Sequence, residues 1–304
     1  MKKGVYEIFK LLNISYKYIM KRRSFQQYTN YVCIILVIAF LLLKRETIFI
    51  LNAKQIFLIL IPFSFIHFFR VIRQYMILMK NKIHIKELTK SYLFSSLLNT
   101  ILPYKLGEIY KIYLYGGLIK DYKKSVIAVI IDKFFDAFVL LIIFSIVDIK
   151  KGQGLSYITI LLLLIECVIF IIYFSFSKTY KFLNQYLIIN KHNKITIKCL
   201  KILEEANELY LEVKNMIKCR EILLIILTVL SWIMEIFFVY IIKFIKYNDF
   251  SFTNFMEYIN NSFFGFQNDL SNYYILATVV LIVIFMIFIG IRKVLKNLKR
   301  GYKI

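Results

Sequence analysis

Charged residues recur inside the most apolar stretches of this chain, at spacings that could bring them together. The segment NTILPYKLGEIYK, residues 99–111, gathers Asn99, Pro103, Lys105, Gly107, Glu108 and Lys111 among long runs of Ile, Leu and Phe. Asp132, Lys133 and Asp136 follow, and the two aspartates, four apart, share a helix face. Upstream, His67, Arg70 and Gln74 fall at i, i+3 and i+7, with Arg73 beside them. Glu166 sits at the middle of a later apolar run, and Glu235 lies three residues after Trp232, the only tryptophan. An ionisable side chain in hydrocarbon costs about 3 kcal/mol or more, so each of these asks for a partner or a task.

Lysines attract a phosphate as point charges, without the bidentate fork of arginine. Carboxylates can hold an amine, keep those lysines charged, or carry a proton. Basic Arg70, Lys105, Lys111 and Lys133 against acidic Glu108, Asp132, Asp136, Glu166 and Glu235 make a polar interior of mixed sign. Such an interior suits a zwitterionic or phosphate-bearing substrate. Simpler roles stand beside this one. Arg70 and Arg73, near the end of an apolar run, can snorkel to lipid headgroups. A pair between Asp132 and Lys105 or Lys111 can be purely structural, and Glu166 and Glu235 can serve as hydrogen-bonding groups. DKFFD, residues 132–136, has carboxylate oxygens that could ligate Mg²⁺, but no second Asp-rich motif accompanies it and no metal site is expected. The four cysteines form no CxxC pair, the three histidines have no HExxH context, and no Walker A motif occurs. No cofactor and no catalytic residue are expected, and enzymatic activity is the lesser expectation.

The elements that must position these residues follow from composition. Sixty per cent of the residues are hydrophobic, well above a soluble domain. Several segments offer the roughly 20 apolar residues that cross a bilayer. The reading is a single all-α unit over residues 1–304, a polytopic transmembrane helical bundle. Spans are expected at 27–43, 55–79, 125–147, 155–176, 221–244 and 272–291. A basic N-terminus without a short cleavable apolar region suggests that the first span is kept as an anchor. With residues 1–26 as a basic cytoplasmic segment and the C-terminus also inside, the inner segments hold 29 Lys and Arg and the outer ones 7. That asymmetry is the positive-inside pattern, and it places the chain in the cytoplasmic membrane with both termini cytoplasmic. The net charge of +23 has the same origin; it is spread along the chain with no nucleic-acid motif, so no nucleic-acid partner is expected.

The count of six full spans holds only if 91–118 enters and leaves on the cytoplasmic side. The apolar stretch 91–101 is too short to cross, and Pro103 removes a backbone donor and breaks a helix. Broken backbone at membrane depth is tolerated inside protein or beside a wet cavity, so 91–118 reads as a re-entrant helix–break–helix. Segment 252–270, with Asn260, Asn261, Gly265, Gln267 and Asn268, reads as a second such element from the outer side. Segment 177–220 is a cytoplasmic connector. Within it, Leu203, Ala206, Tyr210 and Val213 recur at helical spacing, with Glu204, Glu205, Glu208 and Glu212 around the turn.

Asn99, Leu102-Pro103, Lys105, Gly107-Glu108 and Lys111, followed by Asp132-Lys133 and Asp136, resemble the motifs of the flippase-like membrane family that includes the transmembrane region of lysylphosphatidylglycerol synthase. Ser231-Trp232 with Glu235 resembles its later tryptophan-containing span. The departures keep charge and lose planar geometry: Lys stands for Arg at 105, 111 and 133, and Asp for Glu at 132. A late Pro-Gly-Gly stretch of the family is missing, with FFGFQND, 263–269, in its place. The resemblance implies a membrane protein that moves a phospholipid or lipid-linked glycan headgroup between leaflets, with membrane lipids or lipid-linked intermediates as its partners. It does not imply aminoacyl transfer, because a separate soluble domain performs that reaction in the full synthase and 177–220 is too short to be one. Two alternatives stay open. One is a membrane-embedded enzyme acting on a lipid diphosphate or in lipid aminoacylation. The other is a scaffold that docks a cell-envelope synthase or glycosyltransferase.

Overall fold

The computed structural model describes residues 52–81, 83–101, 106–152, 154–190, 194–247, 255, 258–259 and 269–301. They form an all-helical bundle: α1 (Ala53–Leu78), followed by a 3₁₀ turn at Met79–Asn81, α2 (Ile85–Ile101), α3 (Leu106–Ile119), α4 (Tyr122–Lys151), α5 (Tyr157–Asn190), α6 (Lys194–Ile217), α7 (Glu221–Tyr247) and α8 (Asp269–Gly301). Among the described residues, three stretches are long and apolar enough to cross a membrane: Ala53–Asn81, Tyr157–Ile189 and Glu221–Ile245. They coincide with the spans expected at 55–79, 155–176 and 221–244. The spans expected at 125–147 and 272–291 fall within α4 and α8. The first is interrupted by Asp132, Lys133 and Asp136, whereas the second carries no Asp, Glu, Lys or Arg from 272 to 291 and includes the apolar stretch Asn272–Phe285. The expected span 27–43, the segment 1–26, Pro103, Lys105 and nearly all of 252–270 lie outside the described residues.

Local signals set the helix ends. The Gln55 side chain accepts a hydrogen bond from the Asn52 backbone N–H at 3.0 Å, one half of a capping box at the start of α1. Asp121 caps α4 by accepting from the Lys124 N–H at 3.2 Å. Gly152 ends α4 in the left-handed region at φ +66°, with its N–H shared between the Asp148 and Ile149 carbonyls. Helix α5 runs past its expected end at 176 to Asn190, because neither glycine nor proline stops it. At 34 residues it is about 50 Å long and outreaches the hydrocarbon layer. Only 17% of its most apolar window is buried by the rest of the chain, which leaves most of its surface to lipid.

Contacts fix the register of the bundle. Arg70 meets Glu235, Arg73 meets Thr228, and Arg220 reaches the Met76 carbonyl, so α1 and α7 run antiparallel. Gly107 lies against Asn99 and Ser95, and Lys111 lies near the Tyr92 ring, so α2 and α3 form an antiparallel hairpin. Ser125 bonds the Ile112 carbonyl and Lys133 bonds Glu108, so α4 runs antiparallel to α3. Helices α2 and α3 have 17 and 14 residues, about 25 and 21 Å, each short of a hydrocarbon layer of roughly 30 Å.

Two large apolar clusters, with two smaller ones beside them, make most of the core among the described residues. One joins Phe63 and Ile66 of α1 to Val139 and Phe144 of α4, Phe238 of α7 and Ala277 of α8. The other joins Ile77 and Leu78 to Leu88, Leu114, Tyr115, Ile127, Ile131 and Leu224. The chain passes from one cluster to the other at Arg70 and Arg73, between Ile66 and Ile77; at Asp136, between Phe135 and Val139; and at Thr228, between Leu224 and Trp232, while Asp132 lies just inside the second cluster and Glu235 just inside the first.

Candidate functional site

The seam between these clusters holds a connected set of ions drawn from four helices. Arg73 of α1 stands at its centre. Its Nη2 lies 2.5 Å from Asp132 Oδ1, and its Nη1 donates to Asp136 Oδ1 at 2.7 Å and to Thr228 Oγ1 at 2.8 Å. The four-residue spacing of Asp132 and Asp136 lets one guanidinium engage both. From α3, Lys111 Nζ donates to Asp132 Oδ2 at 3.0 Å and lies 3.7 Å from Glu108 Oε2. Lys133 Nζ reaches Glu108 Oε1 at 2.8 Å. Asn99 Nδ2 donates to the same Glu108 oxygen at 3.3 Å and ties α2 into the set. The Arg73, Lys111 and Asp132 side chains are almost fully buried, whereas the Lys133 side chain is 46% exposed and marks an open edge.

A second node lies one helical turn away. Arg70 Nη2 donates to Glu235 Oε2 at 2.6 Å, and its Nη1 donates to the Tyr274 hydroxyl at 3.3 Å. Tyr258 donates to Glu235 Oε1 at 3.2 Å. The Arg70 guanidinium carbon lies 5.7 Å from the centroid of the Trp232 ring, within cation–π range. His67 shares a 3.2 Å hydrogen bond with Tyr92, and the Lys111 ammonium lies 5.5 and 5.9 Å from the Tyr92 and Tyr115 ring centroids. Several buried polar atoms have no hydrogen-bond partner among the described residues, among them Arg70 Nε, Arg73 Nε, Trp232 Nε1 and both polar atoms of the Gln74 amide.

Glycine at 107 is what lets the hairpin close. A Cβ there would collide with the Asn99 backbone nitrogen and stand 2.5 Å from the Ser95 carbonyl oxygen. The close approach sets Asn99 against Glu108 and turns Lys111 toward α4.

Of the residues singled out by sequence, Arg70, Asn99, Gly107, Glu108, Lys111, Asp132, Lys133, Asp136 and Glu235 come together here. Glu166 does not join them. It is 2% exposed on α5, and neither of its carboxylate oxygens has a hydrogen-bond partner among the described residues. Arg73 also belongs to the site. Its position near the end of an apolar run suits headgroup snorkelling, whereas α7 packs over it and leaves it 1% exposed. The tyrosines 92, 258 and 274 carried no signal, since 23 tyrosines are scattered along the chain.

Residues 29–253 match the family described as the lysylphosphatidylglycerol synthase TM region. No curated protein and no solved structure matches the chain. The match covers well over half of the sequence and includes every charged residue of the network, with only Tyr258 and Tyr274 beyond its end, and the chain belongs to the lysylphosphatidylglycerol synthase transmembrane-region family of helical membrane proteins.

Proposed function

We propose that this protein moves the polar headgroup of a phospholipid or lipid-linked glycan across the cytoplasmic membrane. The observation that carries the reading is the ion network itself. Arg73, Asp132 and Lys111 are nearly fully buried in a chain with far more apolar surface than a soluble domain, and a network of this size is costly unless polar cargo uses it. The membrane opposes passage of a headgroup because its charges and hydroxyls lose water on the way. Buried ions that can exchange partners would lower that barrier. A phosphate entering at the Lys133 edge meets Lys133 and Lys111 first, and both are held by Glu108. As those lysines turn to the phosphate, Glu108 keeps Asn99 as a donor. The short α2–α3 hairpin carries Glu108 and Lys111 together, so a small displacement of it would separate both from α4.

The carboxylates of DKFFD favour this reading over a diphosphate-processing enzyme. Asp132 and Asp136 are engaged by Arg73 and Lys111, which puts two cations where a diphosphate site would need a metal ion. The purified protein in vesicles carrying fluorescent phospholipids and lipid-linked sugar analogues tests the proposal. Wild type is expected to speed leaflet exchange, and a folded Glu108→Gln variant is expected to lose it. Exchange at the wild-type rate by that variant would remove Glu108 from the mechanism.

A further inference from the structure

The charge balance of the network narrows what it can carry. Among the described residues, Arg70, Arg73, Lys111 and Lys133 face Glu108, Asp132, Asp136 and Glu235, four cations against four carboxylates. The set is neutral as it stands. An anionic headgroup would leave it with a net negative charge in a medium that screens poorly. A headgroup that carries its own ammonium would not.

The two nodes also differ in chemistry. Arg70 and Arg73 each keep a buried Nε–H without a partner among the described residues, and they stand three apart on one face of α1. Two such donors suit a phosphate, whose oxygens can accept from both. Glu235 is held by a tyrosine hydroxyl and by Arg70, whose guanidinium carbon lies 5.7 Å from the centroid of the Trp232 ring. A carboxylate beside an aromatic face is a site for an ammonium, and the Arg70 guanidinium fills it here.

We propose that the cargo is a zwitterionic phospholipid headgroup, with its phosphate on Arg70 and Arg73 and its ammonium on Glu235 beside Trp232. The proposal rests on the translocation reading and names the substrate class of the same site. Arg70 swings from Glu235 to the phosphate, and the incoming ammonium takes the place that the guanidinium leaves. Each ion has a partner before and after, so no charge is left bare during the exchange.

The test separates binding from movement. The purified protein is offered equal amounts of phosphatidylethanolamine and phosphatidylglycerol with the same acyl chains. Retained lipid is weighed by native mass spectrometry, and leaflet exchange of both is followed in vesicles. Phosphatidylethanolamine is expected to be retained about tenfold over phosphatidylglycerol, the ratio of a modest charge mismatch, and to be exchanged faster. Glu235→Gln is expected to erase the preference, as is Arg70→Gln with Glu235→Gln, which keeps the charge balance. Equal or stronger retention of phosphatidylglycerol by wild type overturns the proposal, and so does an intact preference in a folded variant at Glu235. Preferred retention without exchange of either lipid would uphold the headgroup site and defeat translocation. Exchange of phosphatidylglycerol without any preference would do the reverse.

Discussion

Arg73 touches Asp132, Asp136 and Thr228 at once from a position that is 1% exposed. Removing it leaves two aspartates facing each other with only Lys111 and the half-exposed Lys133 to offset them. Breaking a buried ion pair by deleting one partner costs about 3–5 kcal/mol. Arg73→Met is therefore expected to lower the thermal midpoint of the detergent-solubilised protein sharply, and Arg73→Lys to recover only part of the loss because an ammonium lacks the fork. A midpoint unchanged in Arg73→Met would show that the two aspartates are not left bare when the guanidinium is removed. At this scale the sequence was partly readable. A pair between Lys111 and Asp132 was one of the expectations, since both are charges in apolar surroundings with few other partners. The place of Arg73 was not readable, because distance from a helix end says nothing about which neighbour will cover a side chain. Glu166 lies apart from the others for the same reason: its place at the middle of the expected span 155–176 fixes its depth but not its direction.

The α2–α3 hairpin is the element that brings Asn99, Glu108 and Lys111 to α4. Its tightness depends on the missing side chain at Gly107. A methyl group there would press on the Asn99 and Ser95 backbone, and overpacking of this kind costs about 1–3 kcal/mol. Gly107→Ala is expected to lower the thermal midpoint and to slow leaflet exchange, because the hairpin must open to accept the methyl group. Normal exchange with a normal midpoint would show that the close approach is dispensable. The two short helices were readable from the length of the apolar stretch 91–101, from Pro103 and from Gly107. The end of α5 was not, since polar residues beyond 176 looked like a connector while nothing in them breaks a helix. The amphipathic pattern of 195–216 was readable and corresponds to α6, whose Glu212 forms a half-exposed pair with Lys124 at 3.6 Å. Such a pair adds little to stability.

Taken as a whole, the molecule is a bundle of long apolar helices with one charged seam, and the seam lies near the middle of α4 and α7. Hydrophobic content announced the membrane, and the intervals of charge announced the seam. Neither could say that the ions would balance, because balance depends on which faces meet across α1, α3, α4 and α7. The central claim is that the seam exists for cargo and not for folding. A variant with Arg70→Met and Glu235→Leu separates the two, since it removes one charge of each sign and refills the space with apolar atoms. Replacing a buried ion pair in this way is often neutral for stability or favourable. The measurement is leaflet exchange of phosphatidylethanolamine by this variant in vesicles, alongside its thermal midpoint. The account predicts a folded bundle with a midpoint close to wild type and no exchange above that of protein-free vesicles. A folded variant that exchanges the lipid at the wild-type rate would contradict it.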